Sequence, residues 1–364
     1  MPSSTSSFER QVPSGSWSRA FLIAAVLTVV AVGAWEVYWR GEGYAPTLND
    51  TRDLWAANRA RIRDADPDQI VIIGSSRVLF DLDLSVFAAY FKTERPIQLA
   101  IPGGAPVPVL EHLANDESFQ GTVLCGVVPP LYFVPEGFPI EWAEAAIRRY
   151  ENWSPSQRTG NFLGIQLQKR LAFLQQEDLP LNLLLRSLPI PNREAAKPNL
   201  PPELPPYFQW VEEDRQTWMW EACAFGSPLA IRIQNIWKPL FTPPSPPPGV
   251  TPEEAKEHYM AAMEATLERT RSSVEKIRQR GGQVVFIRAP STDWVRDIEN
   301  DTAPREGFWE RILSVSDAPG IHFEDHPELA GFGCPEWSHL AAEDATRYTK
   351  NLMPILERIL EDAG

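Results

Sequence analysis

The chain begins with polar, Ser- and Pro-containing residues 1–16 and then turns abruptly apolar in WSRAFLIAAVLTVVAVGAWEVYWR, residues 17–40, with no charge from Ala20 to Trp35. Beyond it, the hydrophobic positions fall into short blocks. A polar helix is expected over residues 51–63, ending before Asp66-Pro67. IVIIGSS, from Ile70, reads as a short strand apolar on both faces. VLFDLDLSVFAAYF reads as a turn and a helix, and PIQLAIPGG (96–104) as a second strand ending in a glycine pair. PVLEHLANDESF has helical spacing. GTVLCGVVPP (121–130) is a third strand, stopped by Pro129-Pro130.

From 134 to 250 the pattern changes. Prolines multiply, and Trp142, Trp153, Trp210, Trp218, Trp220 and Trp237 cluster here. NFLGIQLQKRLAFLQQ has helical spacing, whereas residues 189–207 and 241–249 read as extended Pro-rich connections. This region is expected to be a partly helical insertion. Regular order returns at Thr251, which stands as the cap of a long amphipathic helix with Pro252 at its first position and Gly281-Gly282 at its stop. QVVFIRAP (283–290) is a fourth strand, PGIHFEDH holds a short fifth, and AAEDATRYTKNLMPILERIL is a final helix. Strands alternating with helices predict an α/β protein with a parallel sheet covered on both faces. The implied organisation is a tail (1–16), a membrane segment (17–40), a first half-domain (41–133), the insertion (134–250) and a second half-domain (251–364).

Residues 17–40 have the length and aromatic flanks of a membrane-spanning helix, with Trp17 at one end and Trp35, Tyr38 and Trp39 at the other. A cleaved signal peptide is the competing reading, with AVGA (31–34) as its cleavage site. The bulky WEVYWR that follows favours an uncleaved anchor. Arg10 and Arg19 place the N-terminus in the cytoplasm. In a Gram-negative envelope that means a single-pass inner-membrane protein with its bulk in the periplasm. The net charge of −14 argues against nucleic-acid partners. Cys125, Cys223 and Cys334 form no zinc pattern, and a bridge between Cys223 and Cys334 is left open.

In open parallel sheets, ligands gather beyond the C-terminal strand ends. Ser75 and Ser76 follow the first strand, Gly103 and Gly104 the second, and Asp293 and Asp297 lie just past the fourth. Glu336 and His339 precede the last helix, at an entrance expected to be exposed. A serine hydroxyl needs a base to take its proton, and a histidine base needs a carboxylate to fix its tautomer. The N–H groups of Ser76 and Gly104 offer themselves to a developing oxyanion. Each residue also has a plain reading. Ser76 can be a helix cap, Arg77 a partner of Asp81 or Asp83, and His322, Asp325 and His326 ordinary surface or core residues.

The GSSR block, the glycine after the second strand and the C-terminal Glu-x-x-His resemble the SGNH/GDSL hydrolase superfamily, and within it the membrane-anchored, GSSR-type relatives of the DltD-like and alginate-acetylation branches. The resemblance covers roughly residues 68–130 and 283–360. It implies a flavodoxin-like α/β/α sandwich, with Ser76 as nucleophile, His339 as base, Glu336 in place of the usual Asp, and Gly104 or Gly103 as oxyanion glycine. Ser75 and Arg77 are then candidate substrate contacts. The third-block Gly-x-Asn-Asp is absent, since VVPPLYF stands there. The implied function is an envelope-anchored serine esterase or O-acyltransferase acting on a polysaccharide ester, with no cofactor or metal and with polysaccharide-synthesis proteins as candidate partners. The alternative is a catalytically reduced accessory protein that binds envelope glycan or a membrane partner.

Overall fold

The strands of the computed structural model follow the apolar blocks. It describes residues 16–175, 205, 208–242, 246 and 249–363. In chain order the strands are β1 (Ile70–Ile73), β2 (Ile97–Gln98), β3 (Thr122–Gly126), β4 (Gln209–Val211), β5 (Thr217–Met219), β6 (Gln283–Arg288) and β7 (Gly320–His322). Five of them form one sheet in the order β2-β1-β3-β6-β7, every pair parallel. This is the flavodoxin-like order, whose switch point lies between β1 and β3. The remaining two, β4 and β5, pair as a separate antiparallel hairpin.

Both faces of the sheet are buried, and side chains alternate between them as strand geometry requires. Ile70, Ile72, Leu124, Val285 and Ile287 enter one core; Val71, Ile73, Val123, Cys125, Val284 and Phe286 enter the other. Each fully buried aliphatic or aromatic side chain contributes about 1.5–3 kcal/mol relative to exposure.

The helices supply the outer layers. α1 (Trp17–Gly41) is long and apolar enough to cross a membrane, and none of it is buried in the protein. Length and composition fit a single membrane span or a signal sequence equally. α2 (Arg52–Arg59) is capped by Thr51. Two helices, α3 (Ser76–Phe80) and α4 (Leu84–Phe91), stand between β1 and β2, where Asp83 caps α4. α5 (Val107–Ala114) links β2 to β3 across the opposite face. After β3 come α6 (Pro129–Tyr132), α7 (Phe138–Glu151), α8 (Pro155–Gln168) and α9 (Pro228–Phe241). α10 (Pro252–Gln279) has a full capping box between Thr251 and Glu254. α11 (Asp293–Thr302) and α12 (Arg305–Ser316) join β6 to β7, and α13 (Ala342–Ala363) closes the chain.

Several expectations change. The second strand is regular only over Ile97–Gln98, although the Leu99 and Ile101 N–H groups still donate to the Ile72 and Gly74 carbonyls beside it. The helix expected from Asn161 starts earlier, at Pro155, where Ser154 and Gln157 form a capping box. Segment 134–250, expected to be a partly helical insertion, packs onto the cores on both faces of the sheet where it is described. Ala143 and Ala146 of α7 join the core of α5 and α10, while Ala230 and Ile233 of α9 join the core of α3 and α13. The hairpin and the pair α11–α12 were not evident in the hydrophobic pattern. The tail expected over 1–16, apart from Ser16, and most of the Pro-rich run 189–207 lie outside the described residues. Cys125, Cys223 and Cys334 are buried free thiols, so no Cys223–Cys334 bridge is present.

Two glycines let α3 sit directly on the strand ends. A Cβ on Gly74 (φ 148°) would lie 2.5 Å from Val78 Cγ2, and one on Gly126 would lie 2.5 Å from Val78 Cγ1. Gly126→Ala is therefore expected to cost about 1–3 kcal/mol through overpacking. Because Val78 is the obstacle, the cost should shrink in a Val78→Ala background. Urea unfolding of the four-member cycle checks this, and equal costs in both backgrounds would show that Val78 is not what Gly126 accommodates.

Candidate functional site

The turn after β1 places Ser75 in extended backbone as the residue before α3 and Ser76 as its first helical residue. The N–H of a first helical residue has no acceptor within its own helix. Ser76 is half-buried, whereas Ser75 is 2% exposed and its Oγ has no hydrogen-bond partner. One turn on, Phe80 lies on the same helix face as Ser76. The Phe80 ring packs against the His339 imidazole at a centroid distance of 4.6 Å. The β1 turn and the C-terminal loop thus meet, as the sequence requires of the candidate pair.

The loop from Cys334 to Leu340 is held on several sides. Arg77 Nε donates to Ser338 Oγ (3.3 Å), and the Leu340 N–H donates to Asp81 Oδ1 (2.8 Å). The Thr292 N–H donates to the Trp337 carbonyl, and Gln234 of α9 donates to the Pro335 carbonyl. Trp337 takes φ 80°, which turns the chain back so that residues 336 and 339 face one another.

Within this loop Glu336 Oε1 lies 2.9 Å from His339 Nδ1 and also accepts the N–H groups of His339 (2.5 Å) and Ser338 (3.3 Å). Its other oxygen accepts the Trp237 indole N–H. An ionised carboxylate only accepts, so the proton between the two side chains sits on Nδ1, and in the neutral imidazole that tautomer leaves the lone pair on Nε2. Nε2 is buried and meets no hydrogen-bond partner among the described residues, Ser76 included. The imidazole is roofed by Phe80, Phe208 and Trp237, with Phe208 and Trp237 at centroid distances of 5.9 and 6.1 Å. The expected exposed helix entrance is corrected: α13 starts only at Ala342, Glu336 is 0% exposed and His339 is 1% exposed.

The other candidates separate. The Gly104 N–H closes a turn onto the Ile101 carbonyl at 2.8 Å, so it is not available to an oxyanion. Gly103, at φ 65° beside Trp142, keeps an N–H that meets no acceptor among the described residues. Arg77 makes no hydrogen bond to Asp81 or Asp83 among the described residues. It is 2% exposed and bidentate to Glu299 of α11, at 2.5 and 3.2 Å. Glu299 also receives Arg288 and Ser291, and Arg288 reaches the Val127 carbonyl at the end of β3. Burial alone would raise the Glu299 carboxyl, but Arg288 and Arg77 outweigh it and hold it down at about 2. Asp293 begins α11, and neither it nor Asp297 bonds the imidazole, whose Nδ1 is taken by Glu336. His322 is buried beside Trp309 and Phe323, and burial pushes its imidazole down to about 3.

Phe208 and Trp237 are the members that sequence reasoning missed. Trp237 belongs to a tryptophan cluster visible in the sequence, but nothing local pairs it with Glu336, 99 positions away. A groove of about 770 Å³ between α2, α8 and the hairpin is lined by Leu48, Trp153, Phe162 and the paired Lys169 and Glu213; it includes none of Ser76, Glu336 and His339. No protein-family model matches the chain, and a search of curated proteins finds no match.

The buried groups carry two expectations. Glu336→Gln puts an amide NH2 where either the imidazole N–H or the indole N–H needs an acceptor. It should cost about 1–3 kcal/mol of stability, the penalty of one unsatisfied buried group. An unchanged urea midpoint would remove the dyad from the core. Glu299→Gln strands two buried arginines and should cost about 3–5 kcal/mol. Because the Glu299 carboxyl sits at about 2 when folded, against an ordinary 4.5, its stabilisation is complete above pH 4.5 and is lost as pH falls toward 2. Acid titration of stability should show that loss in the parent and a shallower slope in Glu299→Gln.

Proposed function

We propose that the chain is a membrane-anchored, SGNH-like serine esterase or O-acyltransferase acting on an ester of an envelope or exopolysaccharide. One observation supports it most: His339 has its Nδ1 held by a buried carboxylate, while its Nε2 meets no hydrogen-bond partner among the described residues and its ring packs on Phe80, one turn beyond Ser76 in α3. A histidine serving only the fold would use both ring nitrogens or leave one in water.

In this reading Ser76 Oγ attacks the ester carbonyl carbon and its proton passes to His339 Nε2. The negative charge goes to the carbonyl oxygen, which the N–H groups of Ser76 and Gly103 receive. His339 then protonates the leaving alkoxide. Water or a sugar hydroxyl, deprotonated by the same nitrogen, releases the acyl group. The Ser76–Nε2 hydrogen bond forms with substrate bound, as catalytic contacts commonly tighten in the Michaelis complex. Ser76 rather than Ser75 is the nucleophile because Ser75 Oγ is sealed from solvent. The anchor is α1, with the cytoplasm on its N-terminal side and the remainder of the chain in the periplasm.

The second reading, an accessory glycan- or partner-binding protein, draws on the roof over the imidazole and on Val127-Val128-Pro129 where the family's third-block asparagine would stand. A fluorophosphonate probe separates the two. Labelling of the full chain that Ser76→Ala and His339→Ala abolish and Ser75→Ala retains is the outcome expected of the enzyme. No labelling, or labelling indifferent to Ser76→Ala, would leave the accessory reading.

A further inference from the structure

The outward face of α8 is apolar in a chain that is otherwise acidic. Phe162, Leu163 and Leu167 are 62%, 54% and 53% exposed. At 100° per residue, Phe162, Leu163 and Leu167 lie on one side of the helix together with uncharged Thr159, Gly160 and Gln166. No acidic residue occurs between Glu151 and Glu177, although the chain carries a net charge of −14. The charges within that interval are all cationic: Arg158, Lys169 and Arg170.

The same helix is tied to the end of α1. Glu36 accepts the N–H groups of Ala172 (3.0 Å) and Phe173 (3.3 Å), and Arg40 donates to the Arg170 carbonyl (2.9 Å). Glu36 is the first charge after the apolar run, and Trp35, Tyr38, Trp39 and Tyr44 form a chain of ring contacts around it. A first charge and an aromatic belt mark the height at which a spanning helix leaves the hydrocarbon. The segment that follows α8 is therefore fastened at headgroup level.

We infer that α8 lies against the outer leaflet of the membrane that α1 crosses, with Phe162, Leu163 and Leu167 in the acyl–headgroup boundary and Arg158 and Arg170 toward anionic headgroups. The inference rests on reading α1 as an uncleaved span. An exposed apolar stripe flanked by cations is the composition of an interfacial helix. A protein partner would have to compete with a lipid surface to which the same segment is already tethered through Glu36 and Arg40. The docking gives the domain a second attachment and fixes its orientation over the bilayer.

The test uses the full chain in phosphatidylethanolamine/phosphatidylglycerol vesicles, with a spin label at Leu27→Cys, Leu163→Cys or Gln279→Cys, the native cysteines being buried. Gln279 is exposed at the end of α10 and serves as the water reference. Collisions with oxygen should rise and collisions with a water-soluble nickel chelate should fall severalfold at Leu27 and Leu163 relative to Gln279. In a Leu163→Glu/Leu167→Glu background, a label at Phe162→Cys should become accessible to the chelate while Leu27 stays protected. Protection at Leu27 with full chelate access at Leu163 would overturn the docking and leave the face for a protein partner. Chelate access at Leu27 would overturn the anchor itself, and the docking with it.

Discussion

The junction of β1, β3, β6 and the His339 loop turns on one buried carboxylate. Glu299 sits on α11 and receives Arg77 from α3, Arg288 from the end of β6 and Ser291 from the loop beyond. Arg288 carries the connection to the β3 end through the Val127 carbonyl, and Arg77 carries it to Ser338, the residue before His339. Removing such charges from water is expensive, and an apolar core of equal volume would often be as stable. The cluster is best understood as a positional device. Each arginine is planar and forked, so its contacts fix direction as well as distance. That fixing holds α3, through Phe80, against the imidazole, while Gly74 and Gly126 remove the atoms that would hold α3 away from the sheet.

The strands of the main sheet and the start of α10 were legible because their signals are local. IVII and QVVFIR are apolar over their length, and Thr251, Pro252 and Glu254 spell out a helix start within four positions. Alternating elements pointed to a parallel sheet, whose flavodoxin-like form was implied by the family resemblance. What was illegible is long-range or sub-residue. Arg77 and Glu299 are 222 positions apart, and the nearer Asp81 and Asp83 are instead occupied by Leu340, Ser85 and Thr346. The hairpin rests on Gln209–Val211 and Thr217–Met219, three residues a strand, too few to show alternation. DWVRDIENDT on α11 is too polar to announce a helix, yet its one buried acid is the hub. Gly104 illustrates the finest scale: the residue type suited an oxyanion donor, but a turn consumes the N–H.

Sequence logic brought Glu336 and His339 together but misjudged their surroundings. Three residues apart suggested a solvent-facing pair at a helix start. Instead the chain turns at Trp337 and folds the pair inward, where each Glu336 oxygen finds a donor. Burial makes the orientation of the imidazole far more secure than an exposed pair could, since a low-dielectric surrounding strengthens each of these bonds. It also couples the site to α9: the indole that completes the carboxylate's hydrogen bonds is one of the rings covering the base.

That coupling bears on the choice between hydrolysis and transfer within the proposed function. Water is the competing acceptor for any acyl-enzyme, and a site that admits it freely hydrolyses. Phe80, Phe208 and Trp237 pack around the imidazole, and Ser76 on α3 is half-buried. A sugar hydroxyl held there by the bulk of its glycan would have a local advantage over water, whose small size gives it no binding energy of its own. Displacing the roof to widen access would withdraw the indole from Glu336 and loosen the tautomer on which the base depends. The same contact thus ties the cover over the imidazole to the orientation of its ring.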